Sequence, residues 1–221
     1  PQPEYFLSKD QGHNRWSSTI PPVLTVPSGA VVEVETKEAS DEQISATSTV
    51  EDFLNMDSSK VHPLTGPVYV EGAEVGDVLA VTLHEIEPLG WGWTGARPGG
   101  GFLPDGATET FLKTFQIEKG ATTTRFSDTI SIPIKPFPGV MGVAPATEEM
   151  LRTRPPRENG GNMDDKHMTE GTVVYFPILV EGALFSIGDT HAAQGDGEVS
   201  GIAIEAPMRI VYQLDVIKGG R

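Results

Sequence analysis

The sequence predicts a mainly β protein: a jelly-roll-like β-sandwich with an inserted small, barrel-like β-unit and little helix. Three observations predict it. Short runs rich in Val, Ile and Thr recur along the chain, each closed by Gly, Pro or Asp. The 25 Gly and 18 Pro exceed average usage without any repeating period, so they read as turns. Helical spacing is confined to one short segment, which disfavours a parallel sheet built from alternating strands and helices.

The elements follow in order. "VLTV" and "AVVEVET" (23–36) flank a Pro-Ser-Gly turn, and the second run alternates apolar with acidic residues. "STVEDFLNM" (48–56) is the one helix, with Ser48 and Glu51 at capping-box spacing. "GDVLAVTLHEIEPL" (76–89) is a long strand. "PLGWGWTGARPGGGFLPDGAT" (88–108) has no period and reads as a long surface excursion of the kind that is functional or mobile. "TISIPIKPF" (129–137) is a strand, and "RTRPPRENGGNMDDKH" (152–167) is a second irregular stretch. "TVVYFPILV" (172–180), "GIAIEAP" (201–207) and "MRIVYQLDVIK" (208–218) complete the strands. Residues 1–84 and 146–221 are expected to build the sandwich. Residues 85–145 carry their own β runs between the Gly/Pro-rich loops and are expected as the inserted unit.

Composition removes whole classes of function. A formal charge of −15, with no Lys/Arg block, repels phosphate backbones and anionic lipid, so neither nucleic acid nor membrane is an expected partner. No apolar run approaches the roughly 20 residues that span a bilayer. "PQPEYFLSKDQGHNRW" lacks a signal-peptide profile, so a cytoplasmic address is the default expectation. Cysteine is absent, which excludes disulfides, thiolate metal sites and Cys nucleophiles together.

The densest chemistry lies in "GDTHAAQGDGE" (188–198), which carries Asp189, His191, Gln194, Asp196 and Glu198. "ALFSIGD" before it reads as a strand end, which places the cluster on a loop leaving the sheet. Asp-x-His sets a carboxylate and an imidazole on one face of an extended chain. That pair suits a divalent metal such as Zn²⁺, or an oriented general base. A merely solvated Gly-Asp hairpin is the competing reading. Of the other histidines, His62 precedes a proline that biases it to extended geometry, and it ranks next to His191. His13 follows, while His84 and His167 read as surface residues. No His-Glu-x-x-His, P-loop, Gly-x-Ser-x-Gly or Ser-x-x-Lys occurs, so metal or carboxylate chemistry is favoured over a Ser nucleophile.

"GDTHAAQGDGEVSGIAIE" (188–205) resembles the signature of the acetamidase/formamidase family. "HNRWSSTIPPVLTVPSG" (13–29), "VHPLTGPVYVEGAEVGDVLAV" (61–81), "PFPGVMGVAPA" (136–146) and "GGNMD" (160–164) resemble family blocks in the same order. Family members continue beyond the strand ending in "LDVIKGGR" with a further mixed α/β segment, so the resemblance implies a shortened form. It also implies hydrolysis of formamide- or acetamide-type amides to carboxylate and ammonia, with 188–198 as the active-site loop. The roles expected there are Asp189, His191 and His62 as ligands of a divalent metal, Zn²⁺ first and Ca²⁺ second, and Glu198 as proton shuttle beside His191. Gln194 and Asn162 would bind the substrate carbonyl oxygen, and Asp164 would hold its NH₂ or orient a ligand. Asp196 would brace the glycine loop through backbone N–H bonds. A metal-free route through Glu198 and His191 stays open. The expected partners are a small amide and further copies of the chain, a dimer or higher. The rival class is a non-catalytic β-sandwich binding module with a structural Ca²⁺ loop.

Overall fold

The computed structural model describes residues 1–220, and two open β-sheets account for most of it. The smaller, five-stranded sheet runs in the order Tyr5–Leu7, Ala30–Thr36, Met208–Ile217, Val78–Pro88 and Val173–Pro177. The larger, nine-stranded sheet follows the path Gly160–Asn162, Phe137–Gly142, Phe185–Ala193, Ile204–Glu205, Gly90–Ala96 and Phe111–Ile117. Leu64–Val70 joins it on Phe185–Ala193 and holds the short strands Gly12–His13 and Leu24–Val26.

Alternation decides which side of each strand is buried. Val32, Val34, Val81, Leu83, Ile210 and Tyr212 of the small sheet pack with Val68, Phe115, Met141, Phe185 and Ile187 of the large one in a single core. Each such side chain contributes about 1.5–3 kcal/mol by leaving water. Their outward neighbours are polar, as in Arg209, which bridges Glu33 (2.6 Å) and Glu85 (2.7 Å) across three strands.

Three expectations are corrected. The segment 85–145 does not close into a barrel: it supplies Gly90–Ala96, Phe111–Ile117 and Phe137–Gly142 to the large sheet, and Phe115, Ile117, Met141 and Val143 to the common core. Only its hairpin Thr123–Arg125/Ser131–Pro133 forms a sheet of its own. More than a third of the stretch 88–108 is strand, because Gly90–Ala96 pairs along its length with Phe111–Ile117 and buries Trp93. The helix is shorter, Val50–Leu54, and its cap sits one residue later than Ser48: the backbone N–H of Thr49 donates to Asp52 at 2.7 Å. Among the described residues no helix is long and apolar enough to cross a membrane.

Candidate active site

The strand Phe185–Ala193 carries the site, and all nine of its residues are buried. One edge pairs with Phe137–Gly142. The other edge is divided: Leu64–Val70 lies against residues 185–188 and Ile204–Glu205 against residues 191–193. Asp189 stands at the fork, at φ 48°. The Asp-x-His pair therefore belongs to the middle of the sheet and not to a loop. Only the continuation bends away, through a short 3₁₀ turn at Asp196–Glu198.

Register then brings the partners in. His191 is opposite Phe137 on one side and Glu205 on the other. Its Nε2 lies 3.2 Å from Glu205 Oε2, 3.4 Å from Asp189 Oδ1 and 3.9 Å from Glu198 Oε1. His62 Nε2 faces the other oxygen of Asp189 at 3.6 Å, and its backbone N–H donates to Thr153 at 2.8 Å. Asn162 ends a strand paired to Phe137–Gly142, and Asp164 follows, its N–H donating to the Gly139 carbonyl at 3.1 Å. Gly139 is a spacing requirement, since a Cβ there would lie 2.7 Å from Asp164 Oδ1 and 2.9 Å from the His191 ring. His62, Asn162, Asp164, Asp189, Glu198 and Glu205 border a cavity of about 340 Å³, with His191 just behind them; its apolar wall is Phe53, Met56, Trp93 and Ile202, and Arg97 and Arg154 also line it.

Backbone strain marks the same place. Of seven non-glycine residues at positive φ among the described residues, three are the site carboxylates Asp164 (46°), Asp189 (48°) and Glu198 (44°). Left-handed backbone costs an L-residue about 1–2 kcal/mol, and such costs cluster where function demands a side-chain direction.

Gln194 settles the imidazole. Its NH₂ donates to the Asp164 carbonyl at 2.7 Å, so its Oε1 faces His191 Nδ1 at 2.9 Å and must accept from it. Nδ1 thus carries the proton and Nε2 is left facing three carboxylates. His191 Nε2, Glu205 Oε2, Asp164 Oδ1 and Asn162 Oδ1 are all buried without a hydrogen-bond partner. Burial would depress the His191 pKa, but Glu205 and Asp189 reverse this and raise it well above the ordinary range. Burial is likewise overcome at Asp189, which His62 and His191 hold well below the usual carboxylate range. Burial, reinforced by neighbouring carboxylates, pushes Glu198 up to about 9, Glu205 to about 7 and Asp164 to about 6. His62 is lowered by burial against the pull of Asp189. A centre of acceptors facing one another needs protons or a cation between them. Asp164, Asp189 and His191, and likewise His191, Glu198 and Glu205, each offer ligand atoms within 4.8 Å of one another. The donor set of imidazole and carboxylate fits a divalent metal.

Most of the expected residues converge, and two roles change. Gln194 has both ends of its amide occupied behind His191, so it positions the ring and is not free for a substrate carbonyl. Asp196 accepts no backbone N–H; it is exposed and pairs with Lys166 at 2.5 Å. His13, largely buried, donates to the Arg15 carbonyl at 2.6 Å and accepts from Ser186 at 2.8 Å, outside the site. His84 bonds Gln213 and His167 bonds Asp165. Glu205 was not a candidate from sequence. Its only signal is an acid on the buried face of an apolar run, "GIAIEAP".

Comparison with known proteins matches the acetamidase/formamidase family over residues 4–151 and 146–221. An acetamidase of Mycolicibacterium smegmatis is 33% identical over 95% of this chain. The chain spans about two thirds of the curated relatives it matches, 66% of that protein and 65% of a Methylophilus methylotrophus formamidase. Among solved structures, an acetamidase from Bacillus halodurans superposes with a TM-score of 0.91 at 34% identity, covering 98% of this chain and 71% of that one. A recombinant predicted acetamidase/formamidase from Thermoanaerobacter tengcongensis gives 0.90 at 38% identity, covering 97% and 70%. A profile match over nearly the whole chain, carried by a strand that bears the signature residues, places this protein in the acetamidase/formamidase family.

Proposed function

We propose that the chain hydrolyses a small aliphatic amide to carboxylate and ammonia, at a divalent metal held by His191, Asp189 and His62, with Glu205 as a further ligand and zinc as the metal. The observation that carries this is geometric: His191 Nε2 lies 3.2 to 3.9 Å from oxygens of Glu205, Asp189 and Glu198, and His191 Nε2 and Glu205 Oε2 are buried without a hydrogen-bond partner, a set of ligand atoms that a divalent cation would satisfy. A bound metal would lower the pKa of water towards 7 and polarise the substrate carbonyl. The protein's own groups do the rest. Glu198, 13% exposed against 4% for Asp189 and 5% for Glu205, is the least confined of the three; a cation beside it would hold its carboxylate ionised, so that it takes the proton from water and returns it to the departing nitrogen. Asn162 and Asp164 line the cavity, and their Oδ1 atoms lack partners; as acceptors they suit the substrate NH₂, in place of the carbonyl oxygen expected of Asn162. Trp93, whose indole N–H is anchored on Glu38 at 2.7 Å, walls the apolar side. Homo-oligomerisation belongs to the same proposal: Val173 and Tyr175 are exposed on the edge strand of the small sheet, where a second copy can pair; light scattering reads the assembly size.

The test is ammonia release from a panel of small amides, before and after dialysis against a chelator, with metal content measured on the same samples. Loss of ammonia release with the metal, and its return with Zn²⁺, is expected. Full activity at far less than stoichiometric metal would move the chemistry to the Glu198–His191 pair. No ammonia from any amide would remove the proposed function.

A further inference from the structure

We propose that the amide this site is built for carries a carboxylate at its far end, received by the guanidiniums of Arg97 and Arg154. The proposal rests on amide hydrolysis at this site and names the substrate class.

Size is the first observation. At roughly 30 Å³ per water-sized atom, the cavity of about 340 Å³ has room for about eleven non-hydrogen atoms. Formamide and acetamide would leave most of it empty. The lining also changes character from floor to rim. Asp189 and Glu205 at the floor are buried, whereas Arg97 and Arg154 are exposed, and Phe53, Trp93 and Ile202 lie among the lining residues. A neutral amide head, a few methylenes and an anionic tail would meet acids, apolar wall and guanidiniums in turn.

Charge is the second. The chain holds 31 acidic residues against 16 Lys and Arg. Lys9, Lys37, Lys119, Lys166, Arg209 and Lys218 all have carboxylate partners. Arg97 and Arg154, from two separate loops, have none among the described residues, nor any side-chain hydrogen bond; Lys60, Lys113, Arg125 and Lys135 also lack a carboxylate partner, but only Arg97 and Arg154 of these six line the cavity. The flank beside Arg154 deepens the imbalance. Arg15 and Arg152 stand opposite one another in a cross-strand pair, although like charges in that position repel. Both donate only to backbone carbonyls, as does Arg157. Guanidiniums left without carboxylates in so acidic a protein keep their planar donor forks free for a carboxylate from outside.

The rival explanation is that the arginines merely offset the acids of the floor, in which case they favour no substrate over another. The experiment compares kcat/KM for the mono-amides of malonic, succinic, glutaric and adipic acids with that for neutral amides of matched shape, such as 4-methylpentanamide against succinamate. The protein as purified should prefer one of the anionic amides, and the anionic-to-neutral ratio should fall at least about ten-fold in the double variant Arg97→Met/Arg154→Met, the scale of a charge-assisted pair. The preference should also shrink with added salt. An unchanged ratio in the double variant, or no preference in the unsubstituted protein, overturns the proposal while amide hydrolysis stands. If no amide of either kind is turned over, hydrolysis itself fails, and calorimetry with glutarate decides the anion site alone. Binding that the double variant loses upholds it; equal binding by both proteins, or by neither, overturns it.

Discussion

Replacing Gln194 with Met removes both hydrogen bonds of its amide and keeps its length. The bonds span 2.9 Å to His191 Nδ1 and 2.7 Å to the Asp164 carbonyl. The ring is fully buried, so its N–H is left without a partner, at a cost of about 1–3 kcal/mol. The catalytic effect is separate. Without an acceptor at Nδ1 the imidazole can take the other tautomer, which puts a hydrogen on Nε2, the atom that would ligate the metal. Loss of such an orienting partner typically costs about 10–100-fold in metal affinity or activity. Phe137, packed edge-on to the ring with centroids 5.1 Å apart, still restrains its plane and keeps the loss within that range. Gln194→Glu retains an acceptor at Nδ1 but not the donor to Asp164, so it should recover rate and not stability. Ammonia release at several amide concentrations gives kcat/KM, and thermal unfolding gives the stability. If Gln194→Met unfolds earlier yet keeps kcat/KM within about two-fold, well short of the loss expected of an orienting partner, the ring is not oriented through Gln194 and the reasoning fails.

Two further outcomes follow from the same geometry. Gly139→Ala should displace His191 or Asp164, because its Cβ would lie 2.7 Å from both Asp164 Oδ1 and the Asp189 carbonyl. The expected result is about 1–3 kcal/mol of lost stability and a rate loss of about 10²-fold from a shift near 1 Å, read from unfolding and kcat/KM. His13 has its pKa lowered by burial from the ordinary 6.5 to about 4, so the unfolded chain binds its proton first as pH falls. Stability from this group is complete above 6.5 and is lost as pH drops towards about 4, by up to about 3 kcal/mol at 1.36 kcal/mol per pH unit. Unfolding followed between pH 7 and 4 should show this slope and should lose it in His13→Asn; an unchanged slope in the variant would contradict the assignment.

The sequence carried most of the architecture because the sandwich strands alternate openly, as "AVVEVET" and "MRIVYQLDVIK" do. It hid Gly90–Ala96 because glycine occupies the positions that would have shown the period. A Cβ at Gly92 would meet the Glu205 carbonyl at 2.8 Å, and one at Gly95 would meet Phe53 at 2.9 Å, so close packing had erased the apolar signal. The barrel expected in 85–145 failed for a related reason, since strand pairing with Ile204–Glu205 is a long-range event with no local mark. At the site, Asp189, His191 and Glu198 were legible because ionisable residues crowd one stretch. Glu205 looked like any strand residue, and its role comes only from standing opposite His191. Gln194 was visible as a residue but not as a positioner, because the carbonyl that fixes its orientation lies 30 positions away.

The central claim is that this cluster splits amides with Glu198 carrying the proton, and ammonia release by Glu198→Gln against the unsubstituted protein tests it most directly. Gln keeps the shape and removes the proton-accepting oxygen of a carboxylate that lies 3.9 Å from His191 Nε2. The account predicts the same fold and metal content with a rate lower by about 10²–10⁴-fold, the scale of general acid–base catalysis. Ammonia release by Glu198→Gln within a few-fold of the unsubstituted protein would contradict it.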